Sequence, residues 1–114
     1  MQVTVSQMKE RMMTTMITMT NNELFRTYSA YQYEHMSYKT YYARTNLLKN
    51  HFLPRFGALD VTAVSRQDIS NVYDALKAWG LADNTVFGVY AALFSFFSMA
   101  VEMNLIEENP ASRA

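Results

Sequence analysis

The sequence contains no cysteine among its 114 residues. This absence excludes a disulfide framework and every metal site that needs a thiolate ligand, and it suits a reducing cytoplasm, where we expect the protein to reside. The two histidines, His35 and His51, are too far apart in the sequence to form a local metal-binding pair. We therefore predict neither a metal site nor a cofactor.

Motifs of conventional enzymes are also missing. The chain has no glycine-rich phosphate loop and no serine in a nucleophile-elbow pattern. The adjacent acidic residues Glu107 and Glu108 follow a predicted helix end and have no histidine partner. We predict no catalytic residue in this chain.

No apolar run is long enough to span a membrane. The strongest one, residues 89–101, is short and is interrupted by Ser95 and Ser98, which favours a buried helix. The N-terminal residues lack an uninterrupted apolar segment followed by a small-residue cleavage site. The sequence therefore predicts neither a membrane role nor export.

Net charge is zero, because 10 Lys and Arg residues balance 10 Asp and Glu residues. Taken over the whole chain, this balance argues against a nucleic-acid binder, since such domains are usually basic. The distribution is uneven, however, because residues 37–57 contain no acidic residue. Screening lets near charges dominate distant ones, so this segment could hold a positive stripe against phosphates. Charge alone fits a solvated helix face equally well. The cations of the segment are Lys39, Arg44, Lys49 and Arg55.

What the chain does have is the composition of a globular domain, with 50% hydrophobic and 14% aromatic residues, and a length that suits one core. A capping-box pattern of Thr20 and Glu23 predicts the start of a first helix. Its apolar stripe would be Leu24, Tyr28, Tyr31 and His35.

A second helix is predicted after Ser37. Pro54 and Gly57 predict its end, with Gly57 in a left-handed turn, and Leu59 and Val61 of the following connector are expected to enter the core. The inward side of this helix would consist of Tyr41, Arg44, Leu48 and Phe52, and the opposite side of Lys39, Tyr42, Asn46 and Lys49.

Two further helices complete the pattern. The third begins at a capping box of Ser65 and Asp68 and ends before Gly80, and the fourth is capped by Asp83 and runs to about Met103. The third helix would bury Ile69, Val72, Tyr73, Leu76 and Trp79, and the fourth Val86, Val89, Tyr90, Leu93, Phe97 and Ala100. More apolar residues remain on the fourth helix than a small bundle buries, so we expect another surface to cover Phe87, Phe94, Phe96, Met99 and Met103.

The sequence thus predicts an all-α fold, a four-helix orthogonal bundle formed by residues 21–111. Residues 1–20, rich in Met and Thr, would be a tail or linker that is partly helical, and residues 112–114 would begin a further linker.

The order of these elements resembles the N-terminal core-binding, SAM-like domain of tyrosine recombinases and phage integrases. The resemblance runs from about Leu24 to Ala111 and includes a helix start of the form Ser37-x-x-Thr40. It also includes the segments NHFLPRFG, LDVTAVSRQDI, GLADNT and NLIEENPA. Departures from the family pattern are Arg44 in place of an aromatic residue, Ala82 in place of a capping serine, and Phe87 with Gly88 in place of a more polar pair.

The resemblance implies a function in DNA binding. In this family the domain and a catalytic domain form a clamp around duplex DNA, and the N-terminal parts of the second and fourth helices cross the major groove. The implied contacts on the second helix are Lys39, Thr40, Tyr42, Ala43, Arg44 and Lys49, and those on the fourth are Asn84, Thr85, Phe87 and Gly88.

The implied partners are double-stranded DNA at an attachment site, the catalytic domain of the same parent chain, and other recombinase protomers. The catalytic residues of the family belong to that second domain, so we expect this chain to be a piece that does not cut DNA by itself. An alternative is a helical protein–protein interaction module, in which the tyrosine-rich first helix and the fourth helix form a docking surface.

Overall fold

A computed structural model describes residues 18–112 of the chain. These residues form helices and no strand; their only pairing of extended backbone is an isolated bridge between Thr20 and Asp60. The helices are α1 (Asn21–His35), α2 (Tyr38–His51), α3 (Leu53–Phe56), a 3-10 turn (Val61–Ala63), α4 (Arg66–Ala78) and α5 (Asp83–Glu102). The predicted all-α fold is confirmed, and the four predicted helices correspond to α1, α2, α4 and α5. The helical segment predicted within residues 1–20 lies almost wholly outside the described residues.

Local hydrogen bonds explain why the helices begin where they do. The Thr20 hydroxyl accepts from the Glu23 amide at 3.2 Å, and the Glu23 carboxylate accepts from the Thr20 amide at 3.2 Å. Ser65 and Asp68 form the same reciprocal pair, and the Ser37 hydroxyl accepts from the Thr40 amide at 3.2 Å. These bonds satisfy backbone donors that the first turn of a helix leaves free. The predicted starts of α1, α2 and α4 are confirmed.

The end of α2 differs from the prediction. Pro54 does not lead out of helical structure, because it lies in the first turn of α3, where the missing N–H costs no intrahelical hydrogen bond. Gly57 has φ −57°, so the predicted left-handed turn is wrong. The glycine is required for space instead: a Cβ atom there would lie 2.4 Å from Asn22 Oδ1 and 2.7 Å from the Leu53 carbonyl oxygen. Gly80, by contrast, has φ +80° directly after α4, as its position predicts.

Gly57→Ala is expected to lower the free energy of unfolding by about 1–3 kcal/mol, because the added methyl group overlaps a backbone oxygen that cannot move away alone. Gly88→Ala is the matched control, since its Cβ would lie 3.1 Å from the flexible end of Leu47. Urea denaturation of the two variants measures the difference. Equal stability of Gly57→Ala and the parent chain would contradict the close approach.

The core is built around α5, which packs against α1, α2 and α4. Phe96 and Phe97 are fully buried, and each ring lies 5.7 Å from the ring of Phe52. Phe96 also meets Tyr28 edge to face at 5.5 Å. Phe96 was predicted to need cover from outside the bundle, and this prediction is wrong because α1 and α2 cover it together.

By length and composition alone α5 would also suffice to cross a membrane. Its apolar character has another cause in this fold, since the helix contacts three others and buries residues on several sides. The buried residues of α5 are Val86, Val89, Ala92, Leu93, Phe96, Phe97 and Ala100.

The inward face of α1 is rotated from the predicted one. Tyr31 is 45% exposed and His35 is also exposed, whereas Gln32 is 2% exposed. The buried stripe is therefore Leu24, Tyr28 and Gln32, at steps of four residues. A polar residue is tolerated there because the Gln32 side-chain oxygen accepts from Arg44 Nη1 at 2.9 Å.

Two other predicted core residues and one predicted cap differ from the prediction, and all three lie at or near element ends. Leu59 is 45% exposed while its neighbour Val61 is buried. Trp79 is 79% exposed because the chain already leaves helical geometry at this residue, the C-cap of α4. Asp83 is the first residue of α5 and does not cap it; the N-cap is Ala82, whose side chain makes no hydrogen bond.

Candidate nucleic-acid interface

One side of α2 faces solvent and carries the lysines of the basic segment. Lys39, Tyr42 and Lys49 are exposed, and their three- and seven-residue spacing puts them on the same side of the helix. Leu48 and Phe52 are fully buried on the other side. Of the remaining residues implied as contacts on α2, Ala43 is exposed, and Thr40 and Arg44 are partly buried.

The start of α5 combines exposed and packed positions. Asn84 and Phe87 are exposed, Phe87 by 67%, whereas Thr85 and Gly88 are partly buried. Gly88 faces the end of the Leu47 side chain, so the absence of a Cβ there lets α5 approach α2 closely.

Contacts join α5 to the second half of α2. Gly88 faces Leu47, and Phe96 and Phe97 contact Phe52, directly after the last residue of α2. These contacts fix α2 against α5 and leave the first turn of α2 free of them.

The two helix starts differ electrostatically. The first turn of α2 contains no acidic residue, whereas Asp83 lies in the first turn of α5 and offsets the partial positive charge of that helix end. Within the described part of the chain, the close contacts of basic with acidic side chains join His35 to Glu34 and Arg66 to Glu108, so neither includes Lys39 or Lys49. Positive potential therefore concentrates on α2.

Arg44 has a more internal position than the two lysines. Its Nη1 donates to Gln32, and the guanidinium lies close to the Tyr28 hydroxyl, which itself donates to Ser95 Oγ at 3.0 Å. Burial raises the pKa of Tyr28, and the Ser95 hydrogen bond and the Arg44 charge partly oppose this shift. Arg44 thus connects α2 to α1 through Gln32, and it lies next to the Tyr28–Ser95 hydrogen bond that connects α1 to α5.

A group of tyrosines at the junction of α1 and α2 was not identified from the sequence, apart from Tyr42. Tyr33 meets Tyr41 edge to face at 5.2 Å, and Tyr38 lies 5.8 Å from Tyr41 and 6.0 Å from Tyr42. We call Tyr33, Tyr38, Tyr41 and Tyr42 the tyrosine cluster. The recurrence of Tyr at positions 38, 41 and 42 is a sequence signal for it, but the position of Tyr33 is not.

The C-terminal part of the domain is held against α4 and α5. Asn109 Nδ2 donates to the Phe94 carbonyl oxygen at 3.0 Å and to Ser98 Oγ at 3.1 Å, and Arg66 donates to the Ser112 carbonyl oxygen. A cavity of about 420 Å³ lies between this segment and the two helices. Its lining mixes apolar and charged side chains and includes Ile69, Val86, Phe87, Arg66, Lys77 and Asp83. Among the described residues, no cluster of His, Asp and Glu side chains suits a metal ion.

Comparison with known proteins adds two matches. The model of the family described as phage integrase, N-terminal SAM-like domain, matches residues 20–77, just over half of the chain. The solution structure of an integrase-like domain from Bacillus cereus superposes with a TM-score of 0.76 at 16% sequence identity, covering 83% of this chain and 80% of that chain. At this identity the second match bears on the fold alone. No curated protein sequence matches closely enough to count as a relative.

Proposed function

The chain belongs to the family of phage integrase N-terminal SAM-like domains, and from this membership we propose that it is the core-binding domain of a site-specific tyrosine recombinase. It clamps duplex DNA at the recombination site. The matched family is the N-terminal part of these integrases and not the catalytic domain. We infer that the chain by itself neither cuts nor joins DNA.

The observation that carries the proposal is the solvent-facing side of α2, which presents Lys39 and Lys49 on a helix whose first turn contains no acidic residue. An α-helix fits the major groove of duplex DNA, and lysines on its exposed side reach phosphates. A neutral chain can bind in this way because the segment that meets DNA carries no acidic residue.

Each contact residue has a proposed role. Lys39 and Lys49, with Arg44, neutralise phosphates, and Asn84 pairs with an adenine edge. Thr85 donates to a phosphate or touches a thymine methyl group. Thr40, Tyr42, Ala43, Phe87 and Gly88 complete the surface that lies against the groove.

The proposed domain comprises residues 21–111. By the same proposal, residues 1–20 are a linker or tail, and residues 112–114 begin the connection to the catalytic domain of the same parent chain. The hydrogen bonds of Asn109 to α5 and the burial of Ala111 support counting residues up to 111 in the domain.

Fluorescence anisotropy with short duplex DNA at several salt concentrations tests the proposal. With three or four phosphate contacts, the slope of log K against log salt concentration is expected to be about −3. Lys39→Gln should make the slope less steep by about 1, since one counterion fewer is released. Lys77→Gln on α4 removes the same charge and should leave the slope unchanged. Equal slopes for both variants, or binding that does not respond to salt, would contradict the proposed face.

A second candidate function, a helical protein-interaction module, is favoured by the apolar strip on α5. Phe87 and Phe94 are 67% and 43% exposed, and each ring lies 6.3 Å from the ring of Tyr90 between them. In the recombinase, Phe94, the exposed residue of this strip outside the proposed DNA surface, would contact the catalytic domain or another recombinase protomer. The same anisotropy titration distinguishes the two functions, because a pure interaction module has no DNA affinity that depends on Lys39.

A further inference from the structure

We propose that the tyrosine cluster forms one edge of the DNA interface, with the hydroxyls of Tyr33 and Tyr38 donating hydrogen bonds to DNA phosphates. The inference rests on the proposed function and extends it, because it brings α1 to the DNA and adds neutral donors to the lysine contacts. Neither residue is among the positions that the family pattern implies as contacts.

Three of the four rings of the tyrosine cluster are largely exposed to solvent. Tyr33 is 66% exposed, Tyr38 67% and Tyr42 54%, while Tyr41 between them is partly buried. Contiguous exposed aromatic surface on a small domain commonly marks a contact site. A tyrosine hydroxyl is a neutral donor, and such side chains take part in the phosphate contacts that position proteins on DNA.

Packing within the cluster prepares the hydroxyls for this role. The ring centre of Tyr41 lies 5.2 Å from that of Tyr33 on α1 and 5.8 Å from that of Tyr38 on α2. Tyr41 therefore restrains both rings. Tyr38 is further stacked on Tyr42 with an interplanar angle of 27°. Restrained rings lose little conformational freedom on binding, which preserves more of the hydrogen-bond energy.

The charges near the tyrosine cluster favour an anionic partner over an apolar protein surface. Lys39 directly follows Tyr38 in the first turn of α2, which contains no acidic residue and whose N-cap is Ser37. The acidic residue next to Tyr33 in the sequence is Glu34, whose carboxylate lies 4.0 Å from His35 Nε2. Tyr38 and Lys39 therefore offer a neutral and a charged donor within the same helical turn, and both kinds of donor bind phosphates.

Tyr31 provides a matched control on the same helix. It is 45% exposed, and its ring lies 4.3 Å from the His35 ring in a tilted arrangement, outside the cluster. Residues two apart on a helix point about 200° from each other, so Tyr31 and Tyr33 face different sides of α1.

The test compares Tyr33→Phe, Tyr38→Phe, the double variant and Tyr31→Phe in anisotropy titrations with duplex DNA. Phenylalanine keeps each ring and removes the hydroxyl, so thermal unfolding should be unchanged. Loss of one hydrogen bond of ordinary net strength should weaken binding about fivefold, and loss of both in the double variant about 25-fold. The salt slope should stay at its parent value, since a neutral donor releases no counterion. Tyr31→Phe should bind like the parent chain.

The alternative outcomes separate this inference from the proposed function. If the parent chain binds DNA with a Lys39-dependent slope and all four variants bind equally well, the tyrosine contacts are wrong and the proposed function stands. A weaker affinity with a shallower slope would place the effect on Lys39 and overturn a direct tyrosine contact. If the substitutions change self-association in sedimentation and leave DNA affinity unchanged, the cluster is a protein contact. A parent chain that does not bind duplex DNA at low salt overturns both proposals.

Discussion

Charge reversal at both Lys39 and Lys49 is expected to reduce the affinity for duplex DNA about 100-fold at about 0.1 M salt. Each lost phosphate contact removes roughly 0.9 decades of affinity at that concentration through counterion release, so two account for about 60-fold. The introduced carboxylates then repel the phosphates and supply the remainder. Both lysines are exposed, so the fold should tolerate the change.

The measurement is an anisotropy titration of Lys39→Glu, Lys49→Glu beside a control of equal charge change, Arg26→Glu, Lys77→Glu. Arg26 and Lys77 are exposed residues of α1 and α4 and belong to neither helix of the proposed groove contact. Reversal at the control positions should cost a few-fold at most, because charges beyond about 10 Å are screened at this salt concentration. A similar loss in both double variants would mean that net charge, and not the exposed side of α2, governs the interaction.

Truncation of Phe52 to alanine is expected to lower the free energy of unfolding by about 3–5 kcal/mol, the usual range for a buried phenylalanine. The side chain is 0% exposed and its ring contacts Phe56 at 5.2 Å and both Phe96 and Phe97 at 5.7 Å. It lies where α2 meets α5, so the cavity cannot close without moving a helix. Domains of this size have a total stability of about 5–15 kcal/mol, so the loss removes a large share of it.

Urea denaturation followed by circular dichroism gives this value, with Phe87→Ala as the control. The same truncation at a side chain that is 67% exposed should change the free energy of unfolding by less than about 0.5 kcal/mol. If the two variants lost equal stability, the assignment of the core would be wrong. Phe87→Ala also separates stability from binding, because Phe87 belongs to the proposed DNA surface.

Several features of the fold could be predicted from the sequence because short-range interactions determine them. Thr20 with Glu23, and Ser65 with Asp68, form their reciprocal hydrogen bonds within four residues, so the pattern alone indicates where α1 and α4 begin. Gly80 follows a helix end and adopts the positive φ that glycine accommodates best. Family membership was also predicted, since the order of these local signals characterises the family.

Positions near element ends were predicted less well, for a physical reason. Periodicity assumes that helical geometry continues, and at Trp79 it does not. Leu59 lies in the connector between α3 and the 3-10 turn, whose course no helical pattern determines. A polar residue in the core, Gln32, is invisible to hydrophobic patterning because its partner Arg44 lies on the next helix. Gly57 was interpreted as a turn residue, and the crowding that requires glycine there involves Asn22, far away in the sequence.

Some features of the candidate site could likewise be predicted from the sequence, and others were found only in the structure. The sequence by itself determined that α2 would be basic and that Lys39, Tyr42 and Lys49 would share a side, because helical spacing fixes which neighbours along one helix face together. Only the tertiary structure decided that Gly88 of α5 faces Leu47 of α2, that Arg44 is bound to Gln32, and that Tyr33 joins the tyrosines of α2. Those contacts join separate helices, whose relative placement depends on how all the buried side chains fill one core, and no local pattern encodes that packing.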